Sequence, residues 1–137
     1  MDFRFQREER LKSQKVISRL FKEGRSFSCY PLRLVWLDIS DYPLSKSPIQ
    51  FSLSVPKKNF KRAVDRNLLR RRVREAYRLH KHELYKTLNN NELYSNKFLA
   101  FMVLYTAKEE LTYLEIEQGV KKMIYKFRKE ISENDKA

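Results

Sequence analysis

The segment VPKKNFKRAVDRNLLRRRVREAY, from Val55 to Tyr77, constrains the fold most, because it must bury an apolar stripe while exposing a dense basic surface. Between positions 57 and 74 lie nine basic residues and one acidic residue, a local net charge of +8 against +13 for the whole chain. From Asp65 onward apolar residues recur at helical spacing; they are Leu69, Val73, Ala76, Tyr77 and Leu84. The pattern predicts a helix that begins at Asp65, with that carboxylate as its N-cap, and ends at roughly Thr87.

The basic side of this helix carries Arg66, Arg70 and Arg74 at four-residue intervals. Like charges at that spacing destabilise a helix by about 0.2–0.5 kcal/mol per pair, and cations in the first turn oppose the helix dipole. A solvated surface is the ordinary role of a charged helix face, but a helix selected for stability alone would avoid this arrangement. The density of arginines and the lack of acidic partners therefore favour binding to the phosphates of a polyanion.

Length and composition are typical of one folded domain, residues 1–137, with 42% hydrophobic and 34% charged residues. The net charge of +13 indicates a nucleic acid or an anionic membrane surface as partner. No apolar run approaches the length of a membrane span, and the N-terminal MDFRFQREER lacks the apolar core expected of a signal peptide. Cys29 is the only cysteine, which fits the reducing cytoplasm.

The N-terminal region is expected to hold a flexible arm, residues 1–9, followed by a short helix from Ser13 to about Lys22. The apolar face of that helix consists of Val16, Ile17, Leu20 and Phe21. Either all four side chains belong to the core, or Ile17 and Phe21 line an open cleft.

Two segments are predicted to be strands that pair as neighbours in an antiparallel hairpin. Tyr30–Ile39 places Leu32, Leu34 and Trp36 on one face, and Gln50–Val55 alternates apolar and polar residues. The segment Lys97–Tyr105 contains the run LAFMVLY, which is typical of a central strand buried on both faces. Thr112 and Glu115 have the spacing of a capping box at the start of a last helix.

The last helix is amphipathic and is expected to end before a polar tail, residues 132–137. Its apolar face consists of Ile116, Val120, Met123, Ile124, Phe127 and Ile131. The order helix, strands, helix, strand, helix predicts an α+β sandwich in which helices pack on one sheet.

The stretch LSVPKKNFKRAVDRNLLRRRVRE resembles the signature of the bacterial ribonuclease P protein subunit. In that signature a strand ends in a lysine pair, here Lys57 and Lys58, and a short connector leads to an Arg-Asn pair and a basic helix. The resemblance runs from about residue 10 to residue 129, and it includes the buried strand, the sequence LTYLE and the amphipathic helix that follow. One departure is Leu68, where the family commonly has a third basic residue; Arg72, on a different side of the helix, is the candidate substitute.

The resemblance implies a fold and a role. The fold is a four-stranded sheet with three helices in the order α-β-β-(β)-α-β-α, with a left-handed crossover between parallel strands that connection statistics alone would not predict. The role is that of a cytoplasmic, monomeric subunit that binds a catalytic RNA and the 5′ leader of precursor tRNA. The RNA, with Mg²⁺, would hydrolyse the phosphodiester, and the protein itself would need no cofactor and no membrane or small-molecule partner.

The resemblance also assigns site residues. Seven positions match its RNA-binding residues: Lys57, Lys58, Arg66, Asn67, Arg70, Arg71 and Arg74. Lys61 and Arg62, from the same basic stretch, are predicted to join them. The leader is expected in a cleft between the first helix and the sheet, with Ile17 and Phe21 on the helix and Trp36 on a strand. Val35 is the alternative strand position, and ordinary core packing is the alternative role of Trp36.

Two other functions are alternatives. A structural RNA-binding protein, for example one bound to ribosomal RNA, would share every compositional feature. A nuclease acting unaided would need carboxylates holding a metal or a histidine pair. The acidic residues are scattered along the chain, and His80 and His82 point different ways on a helix, so neither a metal site nor a protein catalytic centre is predicted.

Overall fold

A computed structural model of the protein describes residues 7–41 and 46–136. It contains a 3₁₀ turn, three helices and four strands. In chain order these are the 3₁₀ turn Arg7–Glu9, α1 Gln14–Glu23, β1 Arg25–Cys29, β2 Leu32–Asp38, β3 Ile49–Ser54, α2 Ala63–Asn89, β4 Leu99–Tyr105 and α3 Tyr113–Lys136. The α+β class and the predicted element order are confirmed, including the strand that the residue pattern alone did not reveal.

The sheet is mixed, with strand order β1-β2-β4-β3. β4 pairs antiparallel with β2 and parallel with β3, so the predicted β2–β3 hairpin is wrong. β4 is apolar on both faces and almost wholly buried, and a strand of that kind belongs at the centre of a sheet. α2 therefore forms a crossover between two parallel neighbours, as the resemblance implied, while the left hand of that crossover stays a prediction.

β1 is the strand that periodicity did not show. Its sequence RSFSC has only two apolar residues, and it forms the edge of the sheet against β2, with Phe27 opposite Leu34. Tyr30 and Pro31 make the turn between the two strands, so the predicted strand from Tyr30 begins two residues later.

One face of the sheet is covered by α2 and α3 and holds the larger part of the core. The apolar stripe predicted for α2 is confirmed, since all five of its residues are buried. Tyr77 from this stripe stacks on Phe51 of β3 with ring centroids 4.1 Å apart. The apolar face predicted for α3 is also buried throughout. These contacts fix the rotation of α2 about its own axis.

The other face of the sheet is covered by α1, with Leu11 of the preceding segment buried beside it. Val16 and Leu20 are fully buried there, against Val35 and Met102. Phe21 is 58% exposed, so the alternative in which all four apolar residues of α1 are core is wrong.

The helix ends differ in part from prediction. α2 begins at Ala63, and its N-cap residue Arg62 makes no capping bond through its side chain. Asp65 lies in the first turn, 3.8 Å from the Arg62 guanidinium, so it is not the N-cap. The capping box of α3 is confirmed, since Glu115 N–H donates to Thr112 Oγ1 and Thr112 N–H donates to Glu115 Oε1, each at 3.3 Å. α3 continues to Lys136, so the predicted polar tail is helical up to that residue.

Residues 1–6 of the predicted flexible arm lie outside the described ranges. The described part of the arm, residues 7–9, is bound to α2 through Glu9. Glu9 is buried and its two carboxylate oxygens each accept a bond from Lys81 Nζ at 2.7 Å, while Tyr85 Oη–H donates to the same carboxylate. Arg10 forms a parallel bridge with Phe51, and Leu11 N–H donates to the Phe51 carbonyl at 2.9 Å. We call Glu9, Lys81 and Tyr85 the N-terminal clamp.

Replacing Glu9 by Gln should lower the free energy of unfolding by about 3 kcal/mol, because the buried Lys81 ammonium would lose the carboxylate of Glu9. Urea denaturation followed by circular dichroism measures this change. The double variant Glu9→Gln, Lys81→Met is the control, and it should recover most of the loss because no unpaired charge is left inside. Equal stability of the single variant and the wild type would contradict the anchoring role.

Candidate nucleic-acid interface

The outer side of α2 forms a basic cavity. Side chains spaced three or four residues apart face the same way on a helix, and this brings several arginines of α2 together with one from the N-terminal segment. The cavity has a volume of about 370 Å³ and is lined by Arg10, Asn67, Arg70, Arg71, Arg74, Glu75 and Arg78. Four of the predicted RNA-binding residues therefore share one surface.

Positive charge is concentrated at Arg74. Partial burial, together with the charges of Arg10 and Arg70, lowers the pKa of the Arg74 guanidinium, which still stays protonated in water. Glu75 is the acidic residue in this lining, and its carboxylate accepts bonds of 2.6 and 3.1 Å from Arg78. That bond lowers the pKa of Glu75 and directs its charge toward Arg78. An anion bound between Arg10, Arg70 and Arg74 would relieve the repulsion among them.

A second, smaller cavity of about 170 Å³ adjoins the first. It is lined by Arg10, Leu11, Lys12, Phe51, Ser52, Leu53 and Arg74. Arg10 and Arg74 belong to both linings, so the two cavities form one groove along the edge of β3. We call the residues that line the two cavities together the basic groove.

The connector between β3 and α2 adds exposed cations: Lys57, Lys58, Lys61 and Arg62. Arg66 holds this connector against the helix, because its Nη1 donates to the Phe60 carbonyl at 2.8 Å and to the Lys61 carbonyl at 2.9 Å. The predicted phosphate contact of Arg66 is thus left to the N–H groups on Nε and Nη2. Arg66 positions the connector in addition to any contact with a ligand.

Arg72 faces away from the basic groove. Its Nη1 donates to the Leu111 carbonyl at 2.5 Å and lies 3.6 Å from a carboxylate oxygen of Glu110. These contacts tie α2 to the loop that precedes α3. Arg72 therefore does not replace the basic residue that the resemblance places at Leu68, whose own side chain is half-buried.

The α1 side of the sheet carries a partly exposed apolar surface. Phe21 is exposed and Ile17 half-buried, and the neighbouring residues Leu37, Phe98 and Leu104 are only partly buried beneath α1. We call these five residues the α1 surface. The structure thus places the two predicted helix residues of the cleft together.

Trp36 is not part of that surface, and its assignment to the cleft is wrong. It is 3% exposed, its Nε1–H donates to Glu130 at 3.2 Å, and its ring packs edge-on against Phe127 at 5.0 Å. These partners belong to α3, on the opposite face of the sheet. Side chains alternate along a strand, so Val35 is the residue beneath α1, where it is 6% exposed.

The described part of the chain contains neither a candidate metal site nor a candidate membrane span. Within residues 7–41 and 46–136, His, Cys, Asp and Glu side chains form no group of three or more that could hold a metal ion. His80 instead lies 3.0 Å from Glu117. No helix in those ranges is long and apolar enough to cross a bilayer.

Sequence reasoning missed three cations of the basic groove: Arg10, Lys12 and Arg78. Arg78 continues the spacing of the α2 arginines, so the helical pattern contained that signal. Nothing local distinguishes Arg10 from Arg7, because only the docking of the N-terminal segment on β3 brings Arg10 to α2.

Comparison with known proteins places the chain among ribonuclease P proteins. The family model described as Ribonuclease P matches residues 5–128. The ribonuclease P protein component of Porphyromonas gingivalis strain W83 is 42% identical over 102 residues, which cover 74% of this chain and 72% of that protein. The corresponding protein of Chlorobium phaeobacteroides is 38% identical over 78 residues, covering 56% of this chain and 53% of the relative.

Solved structures show the same fold. The RNase P protein of Thermotoga maritima matches with a TM-score of 0.63 and 20% identity, over 86% of this chain and 96% of that one. The RNase P protein of Staphylococcus aureus, solved at 2.0 Å, matches with a TM-score of 0.62 and 21% identity, over 87% and 94%.

Substitution by Gln should have different effects at Arg71 and Arg72, which are neighbours on α2. Arg71→Gln should weaken binding to a single-stranded RNA oligonucleotide without changing stability, because Arg71 is exposed in the basic groove. Arg72→Gln should lower the free energy of unfolding by about 1 kcal/mol, by loss of its bond to a carbonyl, and leave the affinity unchanged. Fluorescence anisotropy and urea denaturation measure the two effects. If both variants lost the same affinity, the location of Arg71 in the basic groove would not explain its contribution to RNA binding.

Proposed function

We propose that this chain, which belongs to the ribonuclease P protein family, is the subunit that binds the catalytic RNA of ribonuclease P and the 5′ leader of precursor tRNA. In that role it assists the Mg²⁺-dependent removal of the leader, which yields the mature 5′ end of tRNA. It acts as a single copy within a cytoplasmic ribonucleoprotein.

The basic groove is the observation that carries this proposal. Arg70, Arg71 and Arg74 line it together, and the charge of Arg70 contributes to the lowered pKa of Arg74, so a phosphate anion would offset the repulsion between these two residues. Guanidinium groups offer several N–H donors in a planar fork that matches phosphate oxygens. Contacts of this kind position a protein on nucleic acid without reading its sequence.

The connector lysines extend the same electrostatic surface. Lys57 and Lys58 are exposed in the turn after β3, and Lys61 and Arg62 follow them toward α2. Cations on a surface of this kind displace condensed counterions from RNA, so most of the affinity should depend on salt. With six to ten phosphate contacts, affinity would fall by about 10³–10⁵-fold between 50 and 200 mM salt.

The α1 surface is the proposed site of the leader. Aromatic side chains bind single-stranded bases by stacking, at about 1–3 kcal/mol per base and with little sequence preference. Phe21 offers an exposed ring for this purpose, and Ile17 supplies apolar contact beside it. A site that tolerates any base suits leaders of varied sequence.

We assign the bond-breaking step to the RNA. Mg²⁺ prefers oxygen ligands, and RNA phosphates supply them in abundance. The acidic residues near the proposed interface already have cationic partners, since Glu75 pairs with Arg78 and Asp65 lies beside Arg62. The protein contributes binding and orientation.

Reconstitution with the cognate ribonuclease P RNA tests the proposal. At low Mg²⁺ the protein should increase cleavage of precursor tRNA at the mature 5′ end. A protein that binds the RNA without increasing cleavage would instead be a structural RNA-binding protein. Cleavage by the RNA-free protein that persists through purification would indicate a nuclease acting unaided.

Arg70→Ala should reduce the slope of log affinity against log salt by about one unit, because one phosphate contact is lost. Filter binding to the ribonuclease P RNA over a range of salt concentrations measures the slope. Lys122→Ala, which removes an exposed cation from α3, is the charge-matched control and should leave the slope unchanged. An unchanged slope for Arg70→Ala would remove this residue from the interface.

Phe21→Ala should weaken binding of precursor tRNA to the holoenzyme by about 1–3 kcal/mol, by loss of stacking on the leader. Binding of mature tRNA, which lacks the leader, should not change. Stability should change little because Phe21 is mostly exposed. An equal effect on both tRNAs would show that Phe21 does not contact the leader.

A further inference from the structure

A cavity between α2 and α3 is separate from the basic groove. It has a volume of about 350 Å³ and is lined by His80, Glu83, Lys121, Ile124, Tyr125 and Arg128. It shares no residue with the basic groove or the α1 surface, so neither of the proposed RNA contacts accounts for it. Small-molecule sites typically have volumes of about 300–1,000 Å³. The cavity therefore has room for one small molecule or for one unit of a polymer.

Tyr125 supplies the aromatic surface of this cavity. It is 60% exposed, whereas Phe127, two residues further along α3, is fully buried. The Tyr125 ring is thus left outside the core, at the wall of a cavity. Lys129 Nζ lies 5.6 Å from the centroid of the ring, so a cation stands beside it. Proteins that hold single-stranded nucleic acid combine aromatic rings and cations in this way.

The charges around the cavity favour an anion. Arg128 lies 3.4 Å from Glu83, and that carboxylate also lies 3.5 Å from His82. Arg128 uses Nη1 in this contact, which leaves its other N–H groups for a ligand. Lys121 is exposed, and its ammonium makes no hydrogen bond or ion pair with the residues that the structure describes. An anion that enters the cavity would therefore meet Lys121 without breaking an existing contact.

We propose that this cavity binds one unstacked nucleotide of an RNA strand, with the base on the ring of Tyr125 and the phosphate beside Lys121 and Arg128. A nucleotide matches both features of the cavity, because it brings a flat base and a negative charge. The choice of RNA rests on the proposed function, while the site itself uses none of the residues assigned there.

An acidic protein partner matches the cavity less well. Protein interfaces have an apolar core surrounded by a polar rim. Ile124 is 4% exposed, which leaves Tyr125 as the exposed apolar residue of the lining. One ring flanked by cations offers a base its stacking surface but gives a protein little apolar area to bury.

A titration of the full-length, isotope-labelled protein with a short single-stranded oligoadenylate tests the site. The backbone amide NMR signals of Lys121 and Tyr125 should shift, because both residues line the cavity and neither lines the basic groove. Adenosine 5′-monophosphate should shift the same signals. Inorganic phosphate at equal concentration should shift them much less, because it has no base to stack. Absence of a shift with oligoadenylate, or an equal shift with inorganic phosphate, would overturn the proposal.

Tyr125→Ala should raise the dissociation constant of oligoadenylate, read from the Lys121 signal, by about 5- to 150-fold through loss of one stacked base. Tyr125→Phe should bind like the wild type because it keeps the ring. Leu114→Ala is the matched control, since Leu114 is 67% exposed on the same helix and does not line the cavity. Equal dissociation constants for Tyr125→Ala and Leu114→Ala would remove the base from Tyr125 and overturn the site.

The phosphate contact is tested by two neighbouring lysines. Lys121→Ala should reduce the slope of log affinity against log salt, read from the Tyr125 signal, by about 0.7, the value for one contact to a single strand. Lys122→Ala removes the same charge from an exposed residue outside the cavity and should leave the slope unchanged. Equal slopes for the two variants would overturn the contact assigned to Lys121.

Two further outcomes separate this proposal from its alternatives. A polyglutamate peptide that shifts the cavity signals as much as oligoadenylate would show that negative charge alone is recognised, and the nucleotide site would fall. If reconstitution with ribonuclease P RNA fails while oligoadenylate shifts the cavity signals, the proposed function falls and the nucleotide site stands. If reconstitution succeeds and oligoadenylate leaves those signals unmoved, the nucleotide site falls and the proposed function stands.

Discussion

The burial of the apolar stripe of α2 against the sheet is the constraint on which the rest of the structure depends. Leu69, Val73 and Tyr77 are fully buried in the larger core cluster, and the ring of Tyr77 stacks on Phe51 of β3. A helix packed in this way cannot rotate, because rotation would expose the stripe at about 25 cal/mol per Å² of apolar surface. The same packing that stabilises the domain therefore decides which arginines face outward.

The outward-facing arginines of α2 lower the local stability of the helix. Partial burial lowers the pKa of Arg74, and the nearby charges of Arg10 and Arg70 lower it further. The core compensates for this repulsion. A ligand that brings negative charge would turn the repulsion into attraction, and this is the basis of the phosphate binding proposed for the basic groove. Arg72 shows the contrast, since its contacts with Leu111 and Glu110 make it a structural residue of the same helix.

The two faces of the sheet are proposed to bind different parts of the RNA. α2 and α3 together bury one face, and α2 presents its cations to solvent. α1 covers the other face only in part and leaves Phe21 exposed beside it. Charge on one side and an apolar surface on the other suit RNA, whose backbone and unstacked bases need different partners. The N-terminal segment, docked on the edge of β3 through Arg10 and Leu11, connects the two regions.

Local sequence patterns were enough to predict the helices, the central strand and the family. The periodicity, the capping box and the basic signature all involve residues close together in the chain. Tertiary contacts decided the rest. β4 lies between β2 and β3, where the hairpin was predicted, because only the centre of the sheet buries both of its faces. Trp36 faces α3 because a shift of one residue along a strand moves a side chain to the opposite face of the sheet. By itself the sequence determined that the chain carries a basic helix on an α+β core. Which cations share a groove was decided only by the fold, because Arg10 and Arg74 are distant in the chain and meet through the docking of one segment on another.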